Sequence, residues 1–193
     1  MHLTPGLNTQ PGNDLTTCQV KGQYMSEKQQ LKIEKPQGHH CFACGTANPI
    51  GLNMQFYFTD DAICSDITLE RYHEGWQNMA HGGIITTLLD EVMSWAIIYF
   101  KRAFFVTRKI DLKYVRPVLI GTPLTVKGWL TDAAESPRIK TVGEIRDDQG
   151  RLLVKSTGEF VLLSEKELSH VPDKAKREML SIFEKLPKDS PFA

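Results

Sequence analysis

The amino-acid sequence predicts an α+β fold in which an antiparallel sheet wraps around one long central helix. Three observations carry this. Residues 84–100 form a very apolar run of helical length. One or two strand-like runs precede it, and four more follow in succession, separated by turn material. A single helix followed by an antiparallel meander buries its apolar side best with the sheet folded about it.

The elements follow in order. Residues 1–37 are rich in Gln, Thr, Gly, Asn and Lys with few large apolar side chains, so a flexible extension is expected there. Residues 39–52 are turn-rich, with Gly45, Asn48-Pro49 and Gly51. A first strand is expected over 54–58. After a turn at Asp60-Asp61, a second spans 62–69 with Ile63, Ile67 and Leu69 as its apolar positions. Residues 72–80 read as an irregular loop carrying His73, Gly75, Trp76, Gln77 and Asn78, and loops that feed a buried helix are common carriers of function. Beyond the helix, strands are expected over 104–115, 124–131, 139–147 and 152–162, with a hairpin signal at Asp147-Asp148-Gln149-Gly150. The first of these alternates, placing Val106, Arg108, Ile110, Leu112 and Tyr114 on one face and Thr107, Lys109, Asp111 and Lys113 on the other. The charged tail, 164–193, contains an expected helix over 173–186 whose Ala175, Met179, Ile182, Phe183 and Leu186 can lie against the body. The organisation is therefore an extension (1–37), a folded domain (38–163) and a helical C-terminal extension (164–193).

The central helix has two unequal sides. At 100° per residue, Ile84, Ile85, Leu88, Leu89, Val92, Trp95, Ala96 and Tyr99 gather on one, and Gly83, Thr86, Thr87, Asp90 and Ser94 on the other. Two adjacent carboxylates, Asp90 and Glu91, make a membrane span costly. A solvated face normally carries Lys, Arg, Glu and Gln. This one has small residues and a single Asp, so Asp90 is expected to line a cleft or an interface, while Glu91 is expected to be a charge on the helix flank reaching for a partner. No Ser, Thr, Asp or Asn stands directly before Ile84, so Gly82 or Gly83 is expected to cap the helix. That leaves unpaired N–H groups at the positive end of its dipole, suited to an anion or a developing oxyanion. The plainer alternative is that the glycines only permit a tight turn.

In 193 residues, 23 basic side chains balance 23 acidic ones, which gives no electrostatic reason to expect nucleic acid or an anionic membrane as partner. The first residues lack a basic start and an apolar core, so a cytoplasmic location is expected. Four cysteines, at 18, 41, 44 and 64, are too few for a disulfide framework. Cys41-Phe42-Ala43-Cys44-Gly45, preceded by His39 and His40, has the form of half a zinc knuckle, with Cys64 as a further thiol. Because no second ligand pair is present, reduced cysteines packed in a turn are expected, ahead of zinc and of a redox pair, and no metal or cofactor is required.

The motif His81-Gly82-Gly83-Ile84, with Leu88-Leu89-Asp90-Glu91 after it and Tyr114-Val115-Arg116-Pro117-Val118 in support, resembles the hotdog-fold thioesterase superfamily. The nearest branch is the one typified by the bacterial phenylacetate-pathway thioesterase. The resemblance covers residues from about 41 to 163, and the segments Cys41–Gly45 and Asn48–Leu52 look like a lead-in found in some members. It implies a hotdog fold and hydrolysis of acyl-CoA thioesters in a homodimer or homotetramer whose active sites lie between subunits. By the same resemblance, the Gly82 N–H is the oxyanion donor, Asp90 is general base or nucleophile, and His81 shapes the pocket. Gly83 and Thr86 would bind substrate beside them. The chain departs from the pattern at Gly75, where members often carry Asn; Gln77 or Asn78 is then expected to orient water or substrate.

An independent step supports a shared site. Along one helix, Gly82 and Asp90 are on the order of 12 Å apart, whereas a thioester carbonyl needs donor and attacking group within about 3 to 3.5 Å. Two antiparallel helices across a dyad bring the Gly82 end of one to the Asp90 of the other, and the small-residue side permits that approach. Desolvation should raise the Asp90 pKa, improving it as a base near neutral pH. Two other functions fit the same body: a non-hydrolytic acyl-CoA-binding or regulatory module, and a hydroxyacyl-thioester dehydratase.

Overall fold

The computed structural model describes residues 30–59, 61–131 and 137–187. In chain order its elements are β1 (Leu31–Ile33), β2 (Phe56–Thr59), β3 (Ala62–Thr68), a short 3-10 turn (Arg71–His73), β4 (Glu74–Trp76), β5 (Met79–Ala80), α1 (Gly82–Lys101), β6 (Phe105–Tyr114), β7 (Pro123–Leu130), β8 (Arg138–Asp147), β9 (Leu152–Leu162), α2 (Glu165–Leu168) and α3 (Asp173–Lys185). One seven-stranded sheet has the order β1-β2-β3-β7-β8-β9-β6, antiparallel throughout, and β4 and β5 form a separate hairpin. The sheet curls around α1, which is the hotdog arrangement.

α1 is the one described helix long and apolar enough to cross a membrane by composition. Here the sheet receives it. Leu88, Leu89, Val92, Met93, Ala96 and Ile97 are wholly buried, each worth about 1.5–3 kcal/mol for the larger side chains. Trp95 stacks on Phe56 with centroids 4.7 Å apart, and Tyr99 on Phe58 at 5.0 Å. Helix and sheet approach closely at Gly128 in β7, where a Cβ would lie 2.8 Å from the Val92 carbonyl oxygen. Only glycine lets the α1 backbone sit this near the strand.

Four expectations need correction. Residues 31–33 are not part of a loose extension: β1 pairs with β2, and Ile33 and Lys35 are buried, because three residues suffice to extend a sheet edge without a visible pattern. Residues 1–29 lie outside the described residues. The loop at 72–80 contains the β4–β5 hairpin, whose turn is closed by Asn78 at φ 60°. In β6, the regular alternation is broken by a bulge between Thr107 and Lys109. The extra residue, Arg108, turns the strand over, so that Thr107 reaches α1 while Val106 is 51% exposed. In the tail, α3 docks through Ile182 and Leu186, both buried, and Phe183 meets Phe104 edge-on at 5.8 Å, but Ala175 is exposed.

Candidate active site

The start of α1 is organised by His81. Its N–H donates to the His73 carbonyl at 2.8 Å and its carbonyl accepts from the Ile85 N–H at 3.1 Å. Its Nδ1 accepts from the Gly83 N–H at 2.9 Å, which puts the ring proton on Nε2. His81, not a glycine, is therefore the N-cap. Histidine is not a favoured capping residue, which is why the sequence did not reveal it. Gly75 packs beneath: a Cβ there would stand 3.0 Å from the His81 Cα and 3.3 Å from its ring, so the small residue makes room for the cap.

With Gly83 engaged, the Gly82 N–H has no acceptor among the described residues and lies at the positive end of the helix. Gly82 lines a cleft of about 370 Å³ together with Trp76, Met79, Ile85, Tyr114 and Val118 among others. The Tyr114 hydroxyl donates to the Gly82 carbonyl at 3.3 Å, and a Cβ on Gly82 would come within 3.2 Å of that hydroxyl. Thr86 and Thr87 return their hydroxyl protons to the Gly82 and Gly83 carbonyls at 2.9 Å each, so any contact from Thr86 to a ligand is as an acceptor. Gln77 and Asn78 are exposed at the hairpin tip and do not line the cleft. The Asn78 N–H is taken by Glu74 at 3.0 Å and its carbonyl by the Ile120 N–H at 3.2 Å.

Two turns along α1, Asp90 is half-buried and accepts the Thr107 hydroxyl at 2.9 Å on Oδ1. Burial pushes its carboxyl above the ordinary range; the Thr107 hydrogen bond pulls the other way, and the Cys41 charge pushes further up. Asp90 is not in the wall of the Gly82 cleft. One chain thus presents a donor and a carboxylate on the same helix but in separate places. Thr107 and Tyr114 belong to this arrangement. The bulge that aims Thr107 at the helix has no signature in the sequence, whereas Tyr114 stands at the end of the β6 apolar row.

Glu91 departs from expectation. It is no flank charge: Trp95 Nε1 donates to its Oε1 at 3.0 Å, and burial, foremost, lifts its carboxyl to about 7. Cys41, Cys44 and Glu91 have ligand atoms within 4.8 Å of one another. Cys64 lies in β3, paired opposite Tyr57, outside that group.

The thioesterase superfamily profile matches residues 77–154, which span β5, α1, β6 and β7 to the start of β9. An uncharacterised protein of fission yeast, Schizosaccharomyces pombe, is 33% identical over 101 residues, covering 50% of this chain and 57% of that protein; the chain thus spans little over half the relative's length. Among solved structures, the thioesterase superfamily protein RHA08564 is similar at TM-score 0.59 and 28% identity, over 63% of this chain and 60% of the other. The PaaI protein of the E. coli phenylacetic acid degradation operon is similar in fold at TM-score 0.52 and 16% identity, over 58% of this chain and 81% of its own.

Proposed function

We propose, from the premise that this chain carries a thioesterase-superfamily domain on a hotdog fold, that it hydrolyses acyl-CoA thioesters to the free acid and CoA at sites shared between two chains. The observation that carries this is the separation just described. Gly82, whose N–H has no acceptor among the described residues, lines a cleft; the raised carboxylate of Asp90 is on the same helix, and Asp90 is outside that cleft. A second chain closes the gap. β6, the terminal strand of the sheet with Val106 and Tyr114 about half exposed, is an open edge of the kind that pairs with another copy.

In this mechanism the thioester carbonyl oxygen accepts the Gly82 N–H, and the helix dipole favours the charge that develops on it. Asp90 of the other chain removes a proton from water as the water oxygen attacks the carbonyl carbon, or attacks directly through its own oxygen to form an anhydride that water hydrolyses once CoA has left. The tetrahedral intermediate collapses, the C–S bond breaks, and CoA leaves as a thiolate that takes up a proton. His81 keeps the Gly83 N–H occupied and leaves that of Gly82 for the carbonyl oxygen. Thr107 holds one oxygen of Asp90 and leaves the other to react.

Thiol release from a panel of acyl-CoAs tests this. Asp90→Asn keeps the shape of the side chain and removes the base, so turnover should fall by about 10²–10⁴-fold with the oligomer intact by size-exclusion chromatography. Near-native turnover in that variant refutes the assignment of Asp90. No thiol release from the native protein on any acyl-CoA refutes hydrolysis and leaves a binding module.

A further inference from the structure

The lead-in loop before β2 meets α1 at a cluster that the hydrolytic chemistry does not use. Cys41 Sγ lies 3.9 Å from Glu91 Oε2, His39 Nε2 lies 3.4 Å from Cys44 Sγ, and the two sulfurs and the Glu91 oxygen are mutually within 4.8 Å. A tetrahedral zinc ion with Zn–S near 2.3 Å and Zn–N or Zn–O near 2.0–2.1 Å separates its ligand atoms by about 3.3–3.8 Å. The two sulfurs and the Glu91 oxygen therefore stand close to three corners of such a tetrahedron, and His39 reaches the Cys44 corner.

The backbone is shaped for it. The Gly45 N–H donates to the Cys41 carbonyl at 2.9 Å. The turn is so tight that a Cβ on Gly45 would sit 2.4 Å from that carbonyl oxygen.

Two buried groups flank the cluster. Lys35 is 6% exposed, and its ammonium donates to the Cys44 and Met54 carbonyls at 2.8 and 2.6 Å and to Asn53 Oδ1 at 3.1 Å, with no carboxylate among these acceptors. His39 Nδ1 is buried with no hydrogen-bond partner. A zinc ion with two thiolates and one carboxylate carries one net negative charge, which the Lys35 ammonium cancels, and a buried charge needs such a counter-charge.

We propose that Cys41, Cys44 and Glu91, with His39 as fourth ligand, bind one zinc ion that ties the lead-in loop to the middle of α1. Soft thiolates with imidazole and a carboxylate suit zinc among the common divalent ions. Binding displaces the remaining thiol and carboxyl protons to solvent. The fold supplies what the sequence lacks: a second pair of ligands, one of them reached only when α1 packs beside the loop. The site does not depend on the hydrolytic function, and its test does not read turnover.

The full chain, purified under reducing conditions without chelator and reconstituted with zinc chloride, should hold one zinc per chain by mass spectrometry of the metal. Replacing zinc by cobalt(II) should give the near-ultraviolet thiolate-to-metal charge-transfer band. Iodoacetamide should label the exposed Cys41 slowly with metal bound and quickly once it is chelated away. Glu91→Gln keeps both thiols and should weaken metal binding by roughly tenfold or more, while Cys41→Ser should lose most of the charge-transfer band. Zinc well below one per chain after reconstitution, together with no cobalt band, overturns the proposal without recourse to a variant. So does an unlinked response in which chelation leaves Cys41 labelling unchanged, or a native protein isolated with a Cys41–Cys44 disulfide that takes up no metal after reduction. Unweakened binding in Glu91→Gln overturns the assigned ligand set.

Discussion

Replacing Thr107 by Val removes one hydroxyl and leaves a side chain of nearly the same outline. In the native chain that hydroxyl donates to Asp90 Oδ1 at 2.9 Å, and it reaches there because the β6 bulge turns the strand over at Arg108. A hydrogen bond to a charged acceptor is worth about 1.5–3 kcal/mol. Thr107 is on an exposed stretch of strand in the isolated chain, so the lower end applies. If that free energy holds Asp90 in its reactive orientation, about 1.5 kcal/mol corresponds to a little over tenfold in kcat. The sign of the pH effect follows from the opposing causes at Asp90. Burial raises its carboxyl pKa and the Thr107 bond lowers it, so without the bond the carboxylate forms only at higher pH and the acid limb of kcat/KM moves upward. Thr107→Ser should restore both quantities, because it restores the donor. The assay is thiol release from a good acyl-CoA substrate between pH 4 and 9 (a range of roughly two units either side of the His region), with thermal unfolding as a check on the fold. Native kcat with an unmoved acid limb in Thr107→Val, or an acid limb displaced to lower pH, would refute the role given to this hydroxyl.

Two further outcomes test the packing and the ion chemistry of the body. Gly128→Ala places a methyl group 2.8 Å from the Val92 carbonyl oxygen, a backbone atom that cannot swing aside; it should cost about 1–3 kcal/mol, read as a lower urea midpoint at an unchanged slope. Asp147 closes the β8–β9 hairpin, accepting the Gln149 and Arg151 N–H groups at 3.1 and 2.8 Å and the Arg151 guanidinium at 2.7 Å. Burial pushes its carboxyl up, but these bonds outweigh it and hold the pKa below the ordinary value. Its contribution is therefore present above the unfolded-state pKa and is lost as pH falls through the lower folded value. The melting temperatures of the native protein and Asp147→Asn should differ near neutral pH and converge in acid. A constant difference across that range contradicts the linkage.

Much of the fold is legible in the residues. The long apolar run at the centre, the four strands after it and the hairpin at Asp147–Gly150 each obey a local period or turn rule, and each appears within a residue or two of its expected limits. β1 is too short to show a period. The bulge in β6 comes from how β9 pairs with it, so alternation read along β6 alone assigns Val106 and Thr107 to the wrong faces. Asp90, Gly82 and His81 stand out by residue type and spacing. The capping role of His81 does not, because it depends on a ring nitrogen turning back onto the Gly83 N–H.

Glu91 marks the division most clearly. Sequence alone is enough to say that residues 84–100 make a buried helix with one small-residue side, since periodicity, composition and the cost of burying charge are local properties of the chain. It is also enough to say that Gly82 and Asp90 are too far apart to act together in one copy, since the rise per residue is a property of any α-helix. Which residues meet Glu91 is a different kind of fact. Cys41 is 50 residues away from it in order but adjacent in space, and Cys44 joins them, because the lead-in loop folds over α1 beside the buried Lys35. Long-range contacts of this sort are fixed by how the sheet closes around the helix. Tertiary structure therefore turned a half-knuckle and a helix-flank charge into one candidate metal site.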